Sequence, residues 1–328
     1  MHTRTAVRLG REVSVIGLGT WQLGADWGDV TEADAAAVLE TAVEQGVTIF
    51  DTADVYGDGR SESIIGTFLA ERPHLDIFVT TKMGRRVQQK EEFYTAANFR
   101  AWTDRSRANL RMDTLDLVQL HCPPTEVIES DVVYDALDAL VADGTIARYG
   151  VSIETTAQAL AAIARPNVAS VQIVLNAFRL KPLDEVLPAA IEAGVAIIAR
   201  VPLASGLLSG KYTKDTVFAA NDHRTFNRHG ESFDAGETFS GVDFEQGVAA
   251  AQEFAGFADS QGLTAPVAAL AWLAQLPGVT TVIPGARSVA QAKSNASAGS
   301  AAQLTPEFTA QVNDLYDRYF RAAIHSRW

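Results

Sequence analysis

Short apolar runs alternate with helical stretches along most of this 328-residue chain. Each run has the length and the apolar character that are typical of a buried strand. Strict alternation of strand and helix favours a parallel sheet with right-handed crossovers. We predict seven such strands, at 47–51, 76–82, 115–121, 146–152, 170–176, 195–200 and 279–285.

The segments between these strands are predicted helices, and the first two carry recognisable signals. Thr31 is the expected N-cap of a helix over 31–45, and Gly46 ends it. Ser61 is the expected N-cap of the next helix, which runs to about 71. Further helices are predicted near 98–113, 131–142, 155–164, 183–193, 244–261, 265–276, 288–298 and 306–322.

An α/β fold with an eightfold (β/α) barrel fits this order best, and a doubly wound open sheet is the alternative. A barrel needs an eighth strand, which we expect between 201 and 265, although no clear strand pattern occurs there. The residues before Thr20 are predicted to form a β-hairpin that turns near Gly10. We expect the whole of 1–328 to form a single domain.

Charge and composition narrow the classes of function. The formal net charge is −13, which argues against nucleic acid as the main partner. Cys122 is the single cysteine, so no internal disulfide can form and a reducing compartment is expected. The sequence has neither a signal-peptide pattern nor an apolar run of about 18 residues. We therefore expect a cytoplasmic protein without a membrane span.

A polar or otherwise unusual residue stands at the end of every predicted strand. In a barrel all these ends converge on one rim, where active sites lie. One polar strand end is uninformative, but a set of them on one rim predicts a site. The set consists of Asp51, Lys82, His121, Ser152, Asn176 and Arg200, followed by Gly285 and Arg287.

Asp51, Tyr56 and Lys82 offer a specific chemistry if they meet on that rim. A lysine cation held by Asp51 and close to Tyr56 would lower the pKa of the phenol from about 10 and suit it to general acid or base catalysis. His121 could then donate to a substrate oxygen. Taken singly, such residues are more often a structural salt bridge, a packing tyrosine and a core histidine, but their convergence favours function.

Other common site motifs are absent from the sequence. Gln22 stands where the dinucleotide fingerprint requires a glycine. His121 and Cys122 are adjacent rather than spaced as zinc ligands, so no metal site is predicted. Ser152 lacks the second glycine of a nucleophile elbow, which argues against acyl transfer.

Seven segments together resemble the aldo-keto reductase family over nearly the whole chain. The most specific are DTADVYG, within 50–62, and PLASGLLSGK, within 201–211. The branch resembled is a bacterial type near the potassium-channel β subunits. The resemblance implies a TIM barrel that the N-terminal hairpin closes at its bottom. The other segments are GLGTW at 17–21, TTK at 80–82, LDLVQLHCP at 115–123, GVS at 150–152 and VIPGARSVAQAKSN at 282–295.

The resemblance also implies a catalytic tetrad of Asp51, Tyr56, Lys82 and His121. Tyr56 would donate a proton to the carbonyl oxygen during reduction. Lys82, held by Asp51, would tune Tyr56, and His121 would orient the carbonyl. The hydride would come from the nicotinamide of an NADPH that is bound without a Rossmann fold.

Cofactor positions carry over from the family one by one. The residues implied at the nicotinamide end are Thr20, Trp21, Asp51, Ser152, Gln172 and Arg200. Those implied at the phosphates are Leu203, Ser205, Gly206, Lys211 and Arg224. Those implied at the adenosine are Gly285, Arg287, Gln291 and Asn295. Arg287 is the candidate ligand of a 2′-phosphate, which favours NADPH over NADH.

Three functions are compatible with these residues. The first is NADPH-dependent reduction of small aldehydes or ketones. The second is the same chemistry in the reverse direction, in which a sugar or polyol dehydrogenase oxidises an alcohol, and the third is a slow redox-sensing subunit. The complete tetrad favours an enzyme with a small-molecule substrate, and homo-oligomer formation is left open. We expect substrate selection at Trp27, Met83, 84–94 and 212–243, the last of which is part of a long irregular segment rich in basic residues.

Overall fold

The structure is a computed structural model that describes residues 1–24, 30–220, 222–229 and 238–328. Trp27 and part of the 212–243 segment, both predicted to select the substrate, lie outside the described residues. None of the described helices is long and apolar enough to cross a membrane.

Eight parallel strands, β3 to β10, form a barrel in which each strand pairs with the next along the chain. Backbone bridges between Ile16 and Val282 and between Gly19 and Gly285 join the first strand to the last. This closure confirms the predicted barrel and excludes the open-sheet alternative. The strands are β1 Thr3–Ala6, β2 Arg11–Ser14, β3 Leu18–Gly19, β4 Ile49–Asp51, β5 Phe78–Met83, β6 Leu117–His121, β7 Tyr149–Ser152, β8 Val168–Val174, β9 Ala196–Arg200 and β10 Val279–Val282.

The N-terminal hairpin, β1 paired with β2, covers the bottom of the barrel. Gly10 has a φ of +67° in its turn, which glycine adopts without steric cost. Leu9 and Val13 are buried in an apolar cluster with the first residues of barrel strands, such as Ile49 and Phe78. The hairpin therefore plugs the end of the barrel opposite the predicted active-site rim, as the resemblance implied.

Helices surround the barrel, and most lie where the sequence predicts them. Thr31 caps α1, because its hydroxyl accepts a hydrogen bond from the Asp34 amide. The helices are α1 Glu32–Glu44, α2 Arg60–Ala70, α3 Ala96–Leu110, α4 Thr125–Glu129, α5 Asp131–Ala142, α6 Thr156–Ile163, α7 Val186–Ala193, α8 His223–Phe226, α9 Phe244–Ser260, α10 Ala265–Gln275, α11 Val289–Ser297, α12 Pro306–Tyr316 and α13 Ala322–Ile324.

The prediction that Ser61 caps the second helix is wrong. Gly59 is the N-cap of α2, and Ser61 lies inside the first turn. The Ser61 hydroxyl is buried and donates to the Thr20 hydroxyl at 2.8 Å, while it accepts from the Thr52 hydroxyl at 2.8 Å. Ser61 thus ties the helix to the loops that follow β3 and β4.

The eighth strand is not where the sequence predicted it. It is β3, at the N-terminal side of the seven predicted strands, and the described part of 201–265 contains helices and 3₁₀ turns but no strand. The sequence predicts Leu18 and Gly19 as the end of the N-terminal hairpin, and glycines explain why they carry no signal of a separate barrel strand. A Cβ atom at Gly17 would lie 2.8 Å from the Ile49 side chain, and one at Gly19 would lie 2.8 Å from the Ile283 carbonyl oxygen. Close approach of neighbouring strands therefore requires residues that carry no strand signal.

Close packing of α2 against α3 gives a stability prediction. A Cβ atom at Gly66 would lie 2.3 Å from the Asn109 carbonyl oxygen, whereas one at Gly256 of α9 would meet nothing within 4 Å. We expect Gly66→Ala to lower the free energy of unfolding by about 2 kcal/mol, because backbone atoms must move apart. Gly256→Ala should raise it by about 1 kcal/mol through helix propensity. Urea denaturation measures both, and equal effects of the two variants would contradict this packing.

Candidate active site

Most of the predicted strand-end residues line a cavity of about 510 Å³ at the C-terminal rim of the barrel. Asp51, His121 and Arg200 end β4, β6 and β9 and line it, while Lys82 lies directly behind. Asn176 is outside this lining, since its side chain donates to the Val201 carbonyl at 3.0 Å and braces a loop.

A buried ion pair between Lys82 and Asp51 forms the base of the cavity. Their side chains are 1% and 3% exposed, and Lys82 Nζ lies 2.5 Å from Asp51 Oδ1. The same Nζ donates to the Thr52 carbonyl at 2.8 Å and to the Tyr56 hydroxyl at 3.3 Å. All three ammonium donors are thereby used.

The second oxygen of Asp51 accepts further hydrogen bonds. Thr80 Oγ1 donates to Asp51 Oδ2 at 2.7 Å, and Gln172 Nε2 donates to the same oxygen at 2.8 Å. Gln119 Nε2 lies 3.5 Å from it. Sequence reasoning missed Thr80 and Gln119, although each precedes a tetrad residue by two positions and so shares its face of the strand. Gln172, which the resemblance assigned to the nicotinamide carboxamide, uses its amide nitrogen to bind Asp51.

Tyr56 stands above this ion pair, where it is half-buried and lines the cavity. Burial raises the pKa of Tyr56 above its ordinary value of 10.0, although Lys82 and Arg200 act to lower it. The predicted net lowering of this pKa is therefore wrong, because the cost of desolvating a phenolate outweighs the attraction of the lysine. Tyr56 remains a protonated phenol at neutral pH.

Lys82 remains a cation in the same surroundings. Burial alone would lower the pKa of Lys82, but Asp51 and Tyr56 raise it, and the net shift is upward. The charged form is the one that donates three hydrogen bonds, so hydrogen bonding and charge act together. The arrangement can deliver a proton from Tyr56 and stabilise the phenolate that remains.

Aromatic rings enclose the position above Tyr56. Trp21 stacks on Tyr56 with ring centroids 6.0 Å apart, and His121 meets Tyr56 edge-on at 6.1 Å. His223, the first residue of α8, packs against Trp21 with ring centroids 5.4 Å apart. Burial lowers the pKa of His223 to about 4, so this ring is neutral at pH 7. Sequence reasoning missed His223, whose one signal was its place in the long irregular segment beside Arg224.

The other end of the cavity is basic. Lys211, Arg224 and Arg287 line it, and Arg224 is paired with Asp222, its Nε lying 2.8 Å from Oδ1. Gly206 has a φ of +95°, and a Cβ atom there would clash with the Tyr212 ring. These features leave an open, cationic cradle of the size that takes an elongated anionic ligand.

Most residues that the resemblance assigned to a cofactor line this one cavity, but Ser152 and Asn295 do not. Ser152 Oγ lies 3.6 Å from Cys122 Sγ, and Asn295 donates to the Gly285 carbonyl at 3.1 Å. The described residues contain no cluster of three or more side chains suited to a metal ion. The assigned residues that line the cavity are Thr20, Trp21, Asp51, Gln172, Arg200, Leu203, Ser205, Gly206, Lys211, Arg224, Gly285, Arg287 and Gln291.

The chain matches the aldo/keto reductase family over residues 15–317. It is 28% identical over 337 residues to a probable voltage-gated potassium channel subunit beta from Arabidopsis thaliana, an alignment that covers 98% of this chain and 97% of the relative. The resemblance to this family, including its potassium-channel branch, is thereby confirmed.

Solved structures share the fold. A glycerol dehydrogenase from Gluconobacter oxydans has a TM-score of 0.80 and 29% identity, covering 97% of this chain and 95% of the other. An aldo-keto reductase from Klebsiella pneumoniae in complex with NADPH has a TM-score of 0.72 and 24% identity, covering 96% of each chain. Both likenesses extend over almost the full length of each protein.

A second buried carboxyl lies just before Tyr56 in the chain. Asp54 is 1% exposed, and no side chain among the described residues donates a hydrogen bond to its carboxyl oxygens. Burial, and then the nearby Glu62 carboxylate, raise the pKa of Asp54 to about 7, although Arg86 and Arg105 act to lower it. Glu62 itself accepts from the Thr81 hydroxyl at 2.6 Å, whereas desolvation outweighs the two arginines at Asp54.

We expect Asp54 to make folding stability fall as the pH rises. Folded Asp54 holds its proton up to about pH 7, whereas the unfolded value is 3.8, so deprotonation favours the unfolded state across that interval. Asp54→Asn should therefore gain stability over wild type between pH 4 and pH 8, on the order of 3 kcal/mol. Urea denaturation at several pH values measures this difference.

Asp58→Asn is the matched control. Asp58 lies at the surface, and hydrogen bonds from Arg86 and then Arg105 lower its pKa. Its carboxylate therefore stabilises the fold above its unfolded pKa. Asp58→Asn should become less stable than wild type as the pH rises. A pH-independent difference between Asp54→Asn and wild type would contradict a buried, protonated Asp54.

Proposed function

Because this chain belongs to the aldo-keto reductase family, we propose that it is an NADPH-dependent oxidoreductase that reduces small aldehydes and ketones to alcohols. One observation carries the proposal. A protonated Tyr56 lies 3.3 Å from the buried Lys82 cation at the base of an open cavity. A phenol in this position can give a proton to a carbonyl oxygen as negative charge develops on it.

The cavity fits a nicotinamide dinucleotide phosphate in charge and shape. Lys211, Arg224 and Arg287 would hold its phosphates, and the N-terminal end of α11, capped by Ser288, adds backbone donors near Arg287. Arg200 would lie at the nicotinamide end, beside Asp51 and Tyr56. NADPH, when bound, supplies the hydride for the carbonyl carbon.

Each tetrad residue has a distinct part in the proposed reaction. His121 orients the carbonyl oxygen, and Tyr56 donates the proton that converts it to a hydroxyl. Lys82 then stabilises the tyrosinate, while Asp51 fixes the ammonium group in place. Trp21 and His223 restrict the access of water from above, which strengthens these charge interactions.

Polyol oxidation is a second candidate, favoured by the likeness to the glycerol dehydrogenase from Gluconobacter oxydans. In that direction Tyr56 must accept a proton as tyrosinate. The raised pKa of Tyr56, caused by burial, makes the phenol the prevailing form and favours reduction. Initial rates of carbonyl reduction and of glycerol oxidation at neutral pH would separate the two directions.

A slow redox-sensing role is a third candidate, favoured by the likeness to the Arabidopsis thaliana channel subunit. Such a protein would bind NADPH tightly without substantial turnover. A panel of aldehydes and ketones assayed with NADPH would distinguish it from an enzyme.

Tyr56→Phe tests the proton donor. The variant should fold and bind NADPH normally, but its kcat should fall about 100-fold or more, because the general acid is lost. Tyr134→Phe is the control, since the Tyr134 hydroxyl is buried without a hydrogen-bond partner among the described residues and lies outside the cavity lining. Turnover of Tyr56→Phe close to that of Tyr134→Phe would refute the assigned role.

Arg287→Ala tests the choice of cofactor. Loss of one guanidinium–phosphate contact should raise the KM for NADPH roughly 10- to 100-fold and leave the KM for NADH nearly unchanged. Lys293→Ala removes a positive charge from α11 at a position outside the cavity lining, and it should alter neither value. If Arg287→Ala raised both KM values equally, Arg287 would not bind a 2′-phosphate.

A further inference from the structure

The charged residues that line the cavity fall into two groups on opposite sides of the barrel. Arg200 ends β9, and Lys211, Arg224 and Arg287 follow β9 or β10, on the side proposed for the cofactor. Arg85 follows β5, which is four strands from β9 and three from β10 around the closed barrel. A dinucleotide on the first side would therefore leave the Arg85 guanidinium to the substrate side.

Cationic side chains outnumber carboxylates among the described residues that line the cavity, although Arg224 is paired with Asp222. Among the described residues that line the cavity, Asp51 is the one carboxylate, and it is already paired with Lys82 at 2.5 Å. The chain as a whole has a net charge of −13, so a positive cavity is a local feature and not a property of the whole surface. Such a cavity attracts anions and concentrates them at its mouth.

The chain geometry around Gly84 separates two adjacent arginines. Gly84 has a φ of +104°, and a Cβ atom there would lie 2.9 Å from the Tyr94 ring. Beyond this turn Arg85 is half-buried at the cavity, whereas Arg86 forms an ion pair with Asp58 and does not line the cavity. Arg85 has other interactions, but its five N–H donors allow it to bind a carboxylate as well.

We infer that the substrate is a carbonyl compound that carries a carboxylate, which Arg85 binds while the carbonyl lies at Tyr56 and His121. The inference rests on the proposed reductase function and specifies its substrate class. Trp21 and Val55 line the same end of the cavity, so the part of the substrate between its two polar groups meets apolar surfaces. A guanidinium binds a carboxylate through two parallel hydrogen bonds. These fix the orientation of the carboxylate, and the guanidinium balances its charge.

Two aldehydes of nearly equal shape test the inference, 4-carboxybenzaldehyde and the uncharged 4-nitrobenzaldehyde. We would measure kcat/KM for both with saturating NADPH, in wild type and in Arg85→Gln. Comparing the two proteins for each aldehyde cancels the different intrinsic reactivities of the aldehydes. Arg85→Gln should lower kcat/KM for the carboxylate roughly 10- to 100-fold, and for the nitro compound less than about 3-fold.

Arg86→Gln is the matched control, because it removes the same charge one residue away and outside the cavity lining. It should leave the ratio of the two kcat/KM values as in wild type. The inference is overturned if Arg85→Gln lowers kcat/KM equally for both aldehydes. It is also overturned if the wild-type protein reduces 4-nitrobenzaldehyde but not 4-carboxybenzaldehyde. If wild type reduces neither aldehyde, the proposed function itself fails and the inference fails with it.

Salt dependence in wild type provides a test that needs no variant. Added salt screens the attraction between a guanidinium and a carboxylate, so kcat/KM should fall with ionic strength for 4-carboxybenzaldehyde and stay nearly constant for 4-nitrobenzaldehyde. The same dependence for both aldehydes at saturating NADPH overturns the inference, whatever the stability of Arg85→Gln.

Discussion

The buried ion pair between Lys82 and Asp51 is the interaction on which the site depends. An ion pair taken out of water is costly unless hydrogen bonds satisfy the remaining donors and acceptors. Here the three ammonium donors and both carboxylate oxygens have partners. The register of the barrel supplies them, because Asp51 pairs with Thr80 across β4 and β5, and Lys82 pairs with Gln119 across β5 and β6.

Two carboxyls that are three residues apart have different partners. Asp51 is buried against a cation and two further donors, and it serves as the acceptor of the pair. Asp54 is buried, no side chain among the described residues donates a hydrogen bond to its carboxyl oxygens, and desolvation raises its pKa to about 7. The same residue type therefore has opposite electrostatic roles on either side of one strand end.

The barrel, and the meeting of Asp51, Lys82 and His121 at its rim, could be predicted from sequence because apolar runs and the polar residues that end them are local signals. Apolar runs predicted seven of the strands, and the polar residues at the ends of these runs predicted a site on the rim. Leu18 and Gly19 were predicted as the end of the hairpin and not as a barrel strand, because close approach to Ile49 and Ile283 selects glycine, which carries no strand signal. The net shift of the Tyr56 pKa was also predicted with the wrong sign, since the extent of burial is a property of the folded chain and not of the sequence pattern.

Cavity residues outside the motifs were the least predictable. Arg85 and His223 lie next to other basic residues in the sequence, and nothing local distinguishes Arg85 from Arg86. The positive φ of Gly84 and the packing of Tyr94 separate them, and these are tertiary facts. Gln172 was assigned to a cofactor by resemblance, but its amide hydrogen bond to Asp51 depends on the pairing of distant strands.

The protonation state of Tyr56 is the most direct test of this site. The tyrosinate ultraviolet absorbance of wild type can be titrated between about pH 6 and pH 10 and compared with that of Tyr56→Phe. If burial outweighs Lys82, the two titrations coincide below the ordinary tyrosine pKa of 10.0, because Tyr56 keeps its proton. An additional tyrosinate that appears in wild type alone near neutral pH would show that the attraction of Lys82 outweighs burial. It would contradict a Tyr56 that is a protonated phenol at neutral pH.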